Sequence, residues 1–177
     1  MKRHQVGRVS IELTTGDLAD QPEMDAIVNA ANAELQIGGG VAGAIHRAAG
    51  PGLAEECGPL APILPGECVI TGAHELPNQN VIHCLGPVYG RDEPAAQLLA
   101  DCYRKALLQD DEEGLRSVAF PAISTGAFGY PAAEAAPVAV RTVTAVAAEL
   151  RSVRVIRFVL YSDRDFEIHE QALFDNV

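Results

Sequence analysis

Asn29 and Asn32 bracket Ala30 and Ala31, so two side-chain amides stand beside backbone that nothing bulky shields. An amide both donates and accepts, which suits it to the hydroxyls of a polyol such as a sugar. Gly38, Gly39 and Gly40 follow, and glycines permit positive φ and close approach of a ligand to the backbone. The next run, GVAGAIHRAAG, has the alanine content of a helix. The first N–H groups of such a helix lack intrahelical acceptors and attract an anion, typically a phosphate. A sugar-binding amide beside a phosphate-binding helix start points to a nucleotide-sugar ligand. Strand, glycine turn and helix also form plain connections in α/β proteins, and neither a Walker nor a dinucleotide fingerprint is present, so this stretch alone leaves both readings open.

The elements that must position these groups follow from periodicity. Residues 8–14 alternate Val9, Ile11 and Leu13 with polar partners, the pattern of a half-buried strand. Residues 25–28 read as a strand into the amide corner, and residues 53–57 as a short helical piece after Pro51-Gly52. Pro59, Pro62 and Pro65 make a loop before two strands at 66–72 and 80–85. A helix over 93–109 precedes a strand at 117–120 and a second glycine-bearing loop, PAISTGAFGYP from Pro121 to Pro131. The helix over 133–152 contains Pro137, so it either starts later or bends. A strand over 153–160, whose arginines suggest partial exposure, leads to a last helix through Leu173. Alternating strands and helices predict a three-layer α/β/α fold with a mixed, mostly parallel sheet, the whole of 1–177 forming one domain.

Four stretches then lie just past strand ends: Asp17-Leu18, residues 29–41, residues 124–130 and Tyr161-Ser162. Parallel strands would bring them to one sheet edge, where ligands of α/β folds bind. Asp17 there either accepts from an exocyclic amine or caps a short helix. Phe128 and Tyr161 either stack on a ring or fill the core. His83, inside an apolar run, reads as a buried structural histidine.

Composition narrows the function classes. The 177 residues are 48% hydrophobic without an apolar run that could span a bilayer, and the start MKRHQVGRVSIELTTGD lacks the apolar region of a signal peptide. A cytoplasmic protein away from membranes is expected. A net charge of −11 and no Lys/Arg cluster argue against nucleic-acid binding. Phosphates would have to be held by backbone N–H groups. Cys57, Cys68, Cys84 and Cys102 show neither a CxxC pair nor a histidine at zinc-finger spacing, so no metal site is expected and the thiols read as packing residues.

The motifs Gly16-Asp17-Leu18, AIVNAAN, the glycine stretch 38–50, VIHCLGP and FPAISTGAFGYP together resemble the macro domain family, closest to its bacterial MacroD-type branch. The resemblance runs in order through essentially the whole chain. It implies a site for ADP-ribose or its O-acyl and protein-linked derivatives, in a monomer needing no cofactor. Asp17 would accept from the adenine amine with backbone help from Leu18, and Tyr161 would pack on adenine. Asn32, beside Ala31, would hold the distal ribose, and Gly39, Gly40 and Val41 would face the diphosphate. Ser124, Thr125, Gly126, Ala127 and Phe128 would cradle it from the other side. In the hydrolytic pattern the glycine loop reads GGGVDGAIH, and here Ala42 stands where that pattern has its aspartate. Two readings follow. The domain is a hydrolase of ADP-ribosyl esters using substrate-assisted water held by Asn32, or a module that binds ADP-ribose without turnover.

Overall fold

A computed structural model describes residues 1–177. At its centre lies a seven-stranded sheet, built from Lys2–Val6 (β1), Val9–Thr15 (β2), Ala26–Ala30 (β3), Cys68–Gly72 (β4), Asn80–Cys84 (β5), Ser117–Phe120 (β6) and Val155–Leu160 (β7). The spatial order is β1-β2-β7-β6-β3-β5-β4. Strands β2, β7, β6, β3 and β5 run parallel, and β1 and β4 close the two edges antiparallel. The sheet is thus mixed and mostly parallel.

Helices cover both faces. Gly40–Ala49 (α1) and Pro51–Cys57 (α2) pack over the β3–β5–β4 half of one face. Ala95–Glu112 (α3), Ala132–Ala147 (α4) and Asp163–Asn176 (α5) cover the other. Alternation along the strands sends Ile11, Leu13, Val28, Phe120 and Phe158 into the core beneath α3, α4 and α5. Ile27, Ala119 and Val159 face the smaller core beneath α1 and α2. Burial on both faces is why the central strands read as apolar runs rather than as alternating ones. Tyr103, Phe120 and Phe158 meet at centroid distances of 5.1, 6.0 and 6.2 Å, tilted contacts worth about 1 kcal/mol each beyond their buried area.

The structure corrects several expectations. Strand β1 lies where periodicity offers no signal, because KRHQV is an exposed edge strand paired on one side only. Helix α3 runs on to Glu112. Helix α4 starts at Ala132 and ends at Ala147, with Pro137 inside it. Strand β7 is central, and the exposure suggested by its arginines does not extend to Arg157. That residue is 5% exposed and ion-paired to Glu12 of β2 through Nε, 2.7 Å from Oε2. The four cysteines are free, and burial raises the Cys57 thiol to about 11 and pushes up Cys84 as well. Both are packing groups. No helix is long and apolar enough to cross a membrane.

Candidate functional site

The exits of β2, β7, β6, β3 and β5 share the C-terminal edge of the sheet, as parallel order requires. A cleft of about 440 Å³ opens there between two loops, one leaving β3 and the other leaving β6. Ala31, Asn32, Gly39, Gly40, Val41 and Ala42 line one wall, and Ser124, Gly126, Ala127 and Phe128 the other. No lysine or arginine lines it.

Backbone donors dominate both walls. Helix α1 has no side-chain cap and no acidic residue in its first turn, and the N–H groups of Gly40, Val41 and Ala42 meet no acceptor in the protein. Gly40 has φ 56 and Gly39 is extended. Opposite them, Tyr130 N–H donates to Ser124 O at 2.9 Å and Gly129 N–H to Gly126 O at 3.0 Å. These bonds close the second loop and leave the N–H groups of Ser124, Gly126, Ala127 and Phe128 without protein acceptors. Two sets of unpaired N–H groups facing one cleft make a concave anion site that needs no cationic side chain.

The two asparagines part company. Asn32 remains at the cleft, where its Nδ2 donates to Gln36 O at 2.9 Å and its Oδ1 accepts from Gln36 N–H at 2.9 Å. One amide hydrogen and one lone pair stay available, on a side chain already held in place. A Cβ at Gly38 would lie 3.4 Å from Asn32 Nδ2 and 3.8 Å from the Ala42 Cβ, so these three residues are neighbours. Asn29 does not reach the cleft. It is 1% exposed within β3, and its Nδ2 donates to His83 Nδ1 at 3.1 Å. Since Nδ1 accepts, His83 carries its proton on Nε2, which donates to Thr71 Oγ1 at 2.9 Å. Burial, with a smaller contribution from the nearby His46, lowers His83 to about 4. It is the buried structural histidine that its apolar run implies.

Asp17, Leu18 and Tyr161 lie on the flank of the cleft rather than in its wall, at the exits of the adjacent strands β2 and β7. Asp17 caps no helix. Its Oδ1 accepts from Ala19 N–H at 2.9 Å, which fixes the carboxylate while Oδ2 and the Leu18 N–H remain free. Tyr161 is 96% exposed and so is no core aromatic. Phe128 is half-buried, packed on the smaller core while facing the cleft. Thr125 does not line it, because its hydroxyl donates to Ala122 O at 2.8 Å.

Other contributors were absent from the expected set. Gly86, at the exit of β5, and Ile123 line the floor. Ser124, itself among the expected residues, adopts φ 68, is buried, and has a hydroxyl without a partner. Tyr103 of α3 props this loop from below, donating to Pro121 O at 3.2 Å and accepting from Ile123 N–H at 3.1 Å. Tyr89 N–H donates to Phe128 O at 2.9 Å, bracing the same loop from outside. Each such role depends on a contact with a distant segment, which local pattern does not reveal.

This architecture defines a class of protein, an α/β/α domain with two N–H-rich loops facing each other at the C-terminal edge of a mostly parallel sheet. The chain belongs to the macro domain family, whose profile matches residues 28–139. It is 49% identical over 151 residues to a macro domain-containing protein of Chlorobaculum tepidum, covering 85% of this chain and 88% of that protein. It is 46% identical over 170 residues to an O-acetyl-ADP-ribose deacetylase of Klebsiella pneumoniae, covering 93% and 97%. The Oceanobacillus iheyensis macrodomain with ADP matches at a TM-score of 0.94 and 37% identity, over 98% of this chain and 95% of that one. The Trypanosoma brucei macrodomain in complex with ADP-ribose matches at 0.86 and 36% identity, over 92% and 68%.

Proposed function

We propose that this chain is a single, monomeric macro domain that binds ADP-ribose and hydrolyses esters at its distal ribose, with O-acetyl-ADP-ribose and mono-ADP-ribosylated carboxylate side chains as the substrate class. The observation that carries the reading is the facing pair of unpaired N–H sets, on Gly40, Val41 and Ala42 and on Ser124, Gly126, Ala127 and Phe128. They suit a diphosphate in a chain whose net charge is −11. In this assignment Asp17 and Leu18 take the adenine edge, Tyr161 stacks on the base, and Asn32 holds the distal ribose with Phe128 against it. The 46% identical deacetylase supports the hydrolytic part.

The reaction needs water rather than a protein nucleophile. Water adds to the ester carbonyl, its proton passes to a phosphate oxygen of the bound ligand, and the ribose oxygen leaves and is protonated. ADP-ribose and the free acid are the products. Asn32 contributes by fixing the ribose, and orientation of this kind carries a large share of such a barrier. Ala42 provides no carboxylate to share the proton, which where general-base catalysis operates costs about 10²- to 10⁴-fold in rate. That residue is the specific observation favouring the second reading, a module that binds ADP-ribose without turnover. Calorimetry against ADP-ribose and AMP tests the binding assignment: much tighter binding of ADP-ribose supports it, and equal affinity rejects a site centred on diphosphate and distal ribose.

A further inference from the structure

The β2–β3 connection that carries Asp17 and Leu18 has no helix or strand of its own, yet a relay of side chains fixes it to the sheet. Parallel register places Glu12 of β2 beside Arg157 of β7. The guanidinium donates through Nε to Glu12 Oε2 at 2.7 Å and through Nη1 to Gln21 Oε1 at 2.9 Å, and it also pairs with Glu23. Glu12 Oε1 is taken by Arg3 through Nε and Nη2, at 3.2 and 2.8 Å. Gln21 then spends its other amide group on the loop, Nε2 donating to the Asp17 carbonyl at 2.9 Å. Asn78 Nδ2 ties down the far end, donating to Gln21 O at 2.8 Å and Met24 O at 2.7 Å.

Glu12, Gln21 and Arg157 are 3%, 7% and 5% exposed. Desolvating such a pair rarely adds net stability, and buried ionic groups are best attested as devices that fix geometry. Here the geometry fixed is that of the Asp17 peptide. The relay ends on the Asp17 carbonyl, whose carbon is bonded to the unpaired Leu18 N–H and belongs to the same residue as the carboxylate whose Oδ2 is free. That acceptor and donor together match the amino edge of a 6-aminopurine, which offers an N–H₂ group beside a ring nitrogen. A 6-oxopurine would instead set a carbonyl oxygen against the carboxylate.

We propose that Gln21, anchored by Arg157, is a positioning residue that sets base specificity by holding Asp17 and Leu18 in register with a 6-aminopurine. The inference rests on the ADP-ribose reading above. Gln21→Glu is the informative variant, because it keeps an acceptor toward Arg157 while replacing the donor to the Asp17 carbonyl with a carboxylate oxygen that repels it. Gln21→Ala, which removes both, serves if the first variant fails to fold.

The experiment is calorimetric titration of the wild type and each variant with ADP-ribose and with its hypoxanthine counterpart, alongside thermal melting. The wild type should prefer ADP-ribose by about tenfold or more, the scale of a charged hydrogen bond. In Gln21→Glu that ratio should fall by about fivefold or more, through loss of ADP-ribose affinity alone, with the melting midpoint little changed. A ratio that stays constant while both affinities fall would show general loosening and overturn the inference, as would an unaltered ratio with unaltered affinities. A wild type that binds both ligands equally overturns it while leaving the ADP-ribose reading intact. A wild type that binds neither refutes that reading and this one with it.

Discussion

Gly86 at the exit of β5 and Ser124 at the exit of β6 share one space beneath the cleft. A Cβ on Gly86 would overlap Ser124 Oγ and lie 2.6 Å from Ile123 Cγ2. Ser124 holds a left-handed φ of 68, a conformation costing on the order of 1–3 kcal/mol that persists only where its surroundings enforce it. Gly86→Ala should therefore displace the second loop. The expected outcome is at least about a tenfold loss of ADP-ribose affinity by calorimetry, with a destabilisation of about 1–3 kcal/mol in thermal or urea unfolding from overpacking.

The glycine loop makes a cleaner pair of variants. Gly40 has φ 56, and a Cβ there would meet nothing within 4 Å. Gly40→Ala should weaken binding mainly through backbone strain, by about 1–2 kcal/mol. Gly40→Glu should abolish it by placing a carboxylate in the cleft where the proposed assignment puts the diphosphate. With backbone donors as the phosphate contacts, affinity should change little between low and moderate salt. A steep salt dependence would require a basic clamp elsewhere.

The loops that carry this site were legible in the sequence because their chemistry is that of the backbone. Glycines at 38–40 and 126 mark backbone that a ligand can approach closely, whatever packs around it. Strand β6 was legible for a related reason, Ser117–Phe120 being bounded by turn signals on both sides. Asn29 and Arg157 misled, because each is defined by a partner far along the chain, His83 and Glu12. Nothing local distinguishes a buried, partnered polar residue from an exposed one. Edge strand β1 was silent because a strand open on one side and on its face has no apolar alternation to display.

Asp110 of α3 is fully buried, and neither carboxylate oxygen has a partner. Burial first, then the charges of Asp25, Asp111 and Glu113, raise it well above the ordinary carboxylate range. The unfolded chain ionises this group near its usual 3.8 while the folded chain does not, so its contribution to stability falls as pH rises above that value. Asp110→Asn cannot ionise. It should raise the melting midpoint at pH 7 relative to wild type, with the gain shrinking toward pH 4.

His46, His83 and His169 act in the opposite direction, since burial lowers all three and brings His83 to about 4. Between that value and the unfolded 6.5 the unfolded chain binds more protons, so stability is lost as pH falls through this window. At pH 5 the His83 share is about 2 kcal/mol by linkage. Melting midpoints should drop by several degrees from pH 7 to pH 5, and His83→Gln should reduce that drop. An unchanged drop would place the acid sensitivity elsewhere.

Turnover without a loop carboxylate is read from a time course of O-acetyl-ADP-ribose with purified wild type and Ala42→Asp, following acetate and ADP-ribose together. Ala42 lines the cleft beside Asn32 and Gly38, so an aspartate there would reach the ester end of the ligand and could share the proton of the attacking water. The wild type should release both products slowly, and Ala42→Asp should release them faster with little change in ADP-ribose affinity. Tight ADP-ribose binding by a wild type that releases no acetate above the uncatalysed background over hours would contradict the hydrolase and establish the binding module in its place.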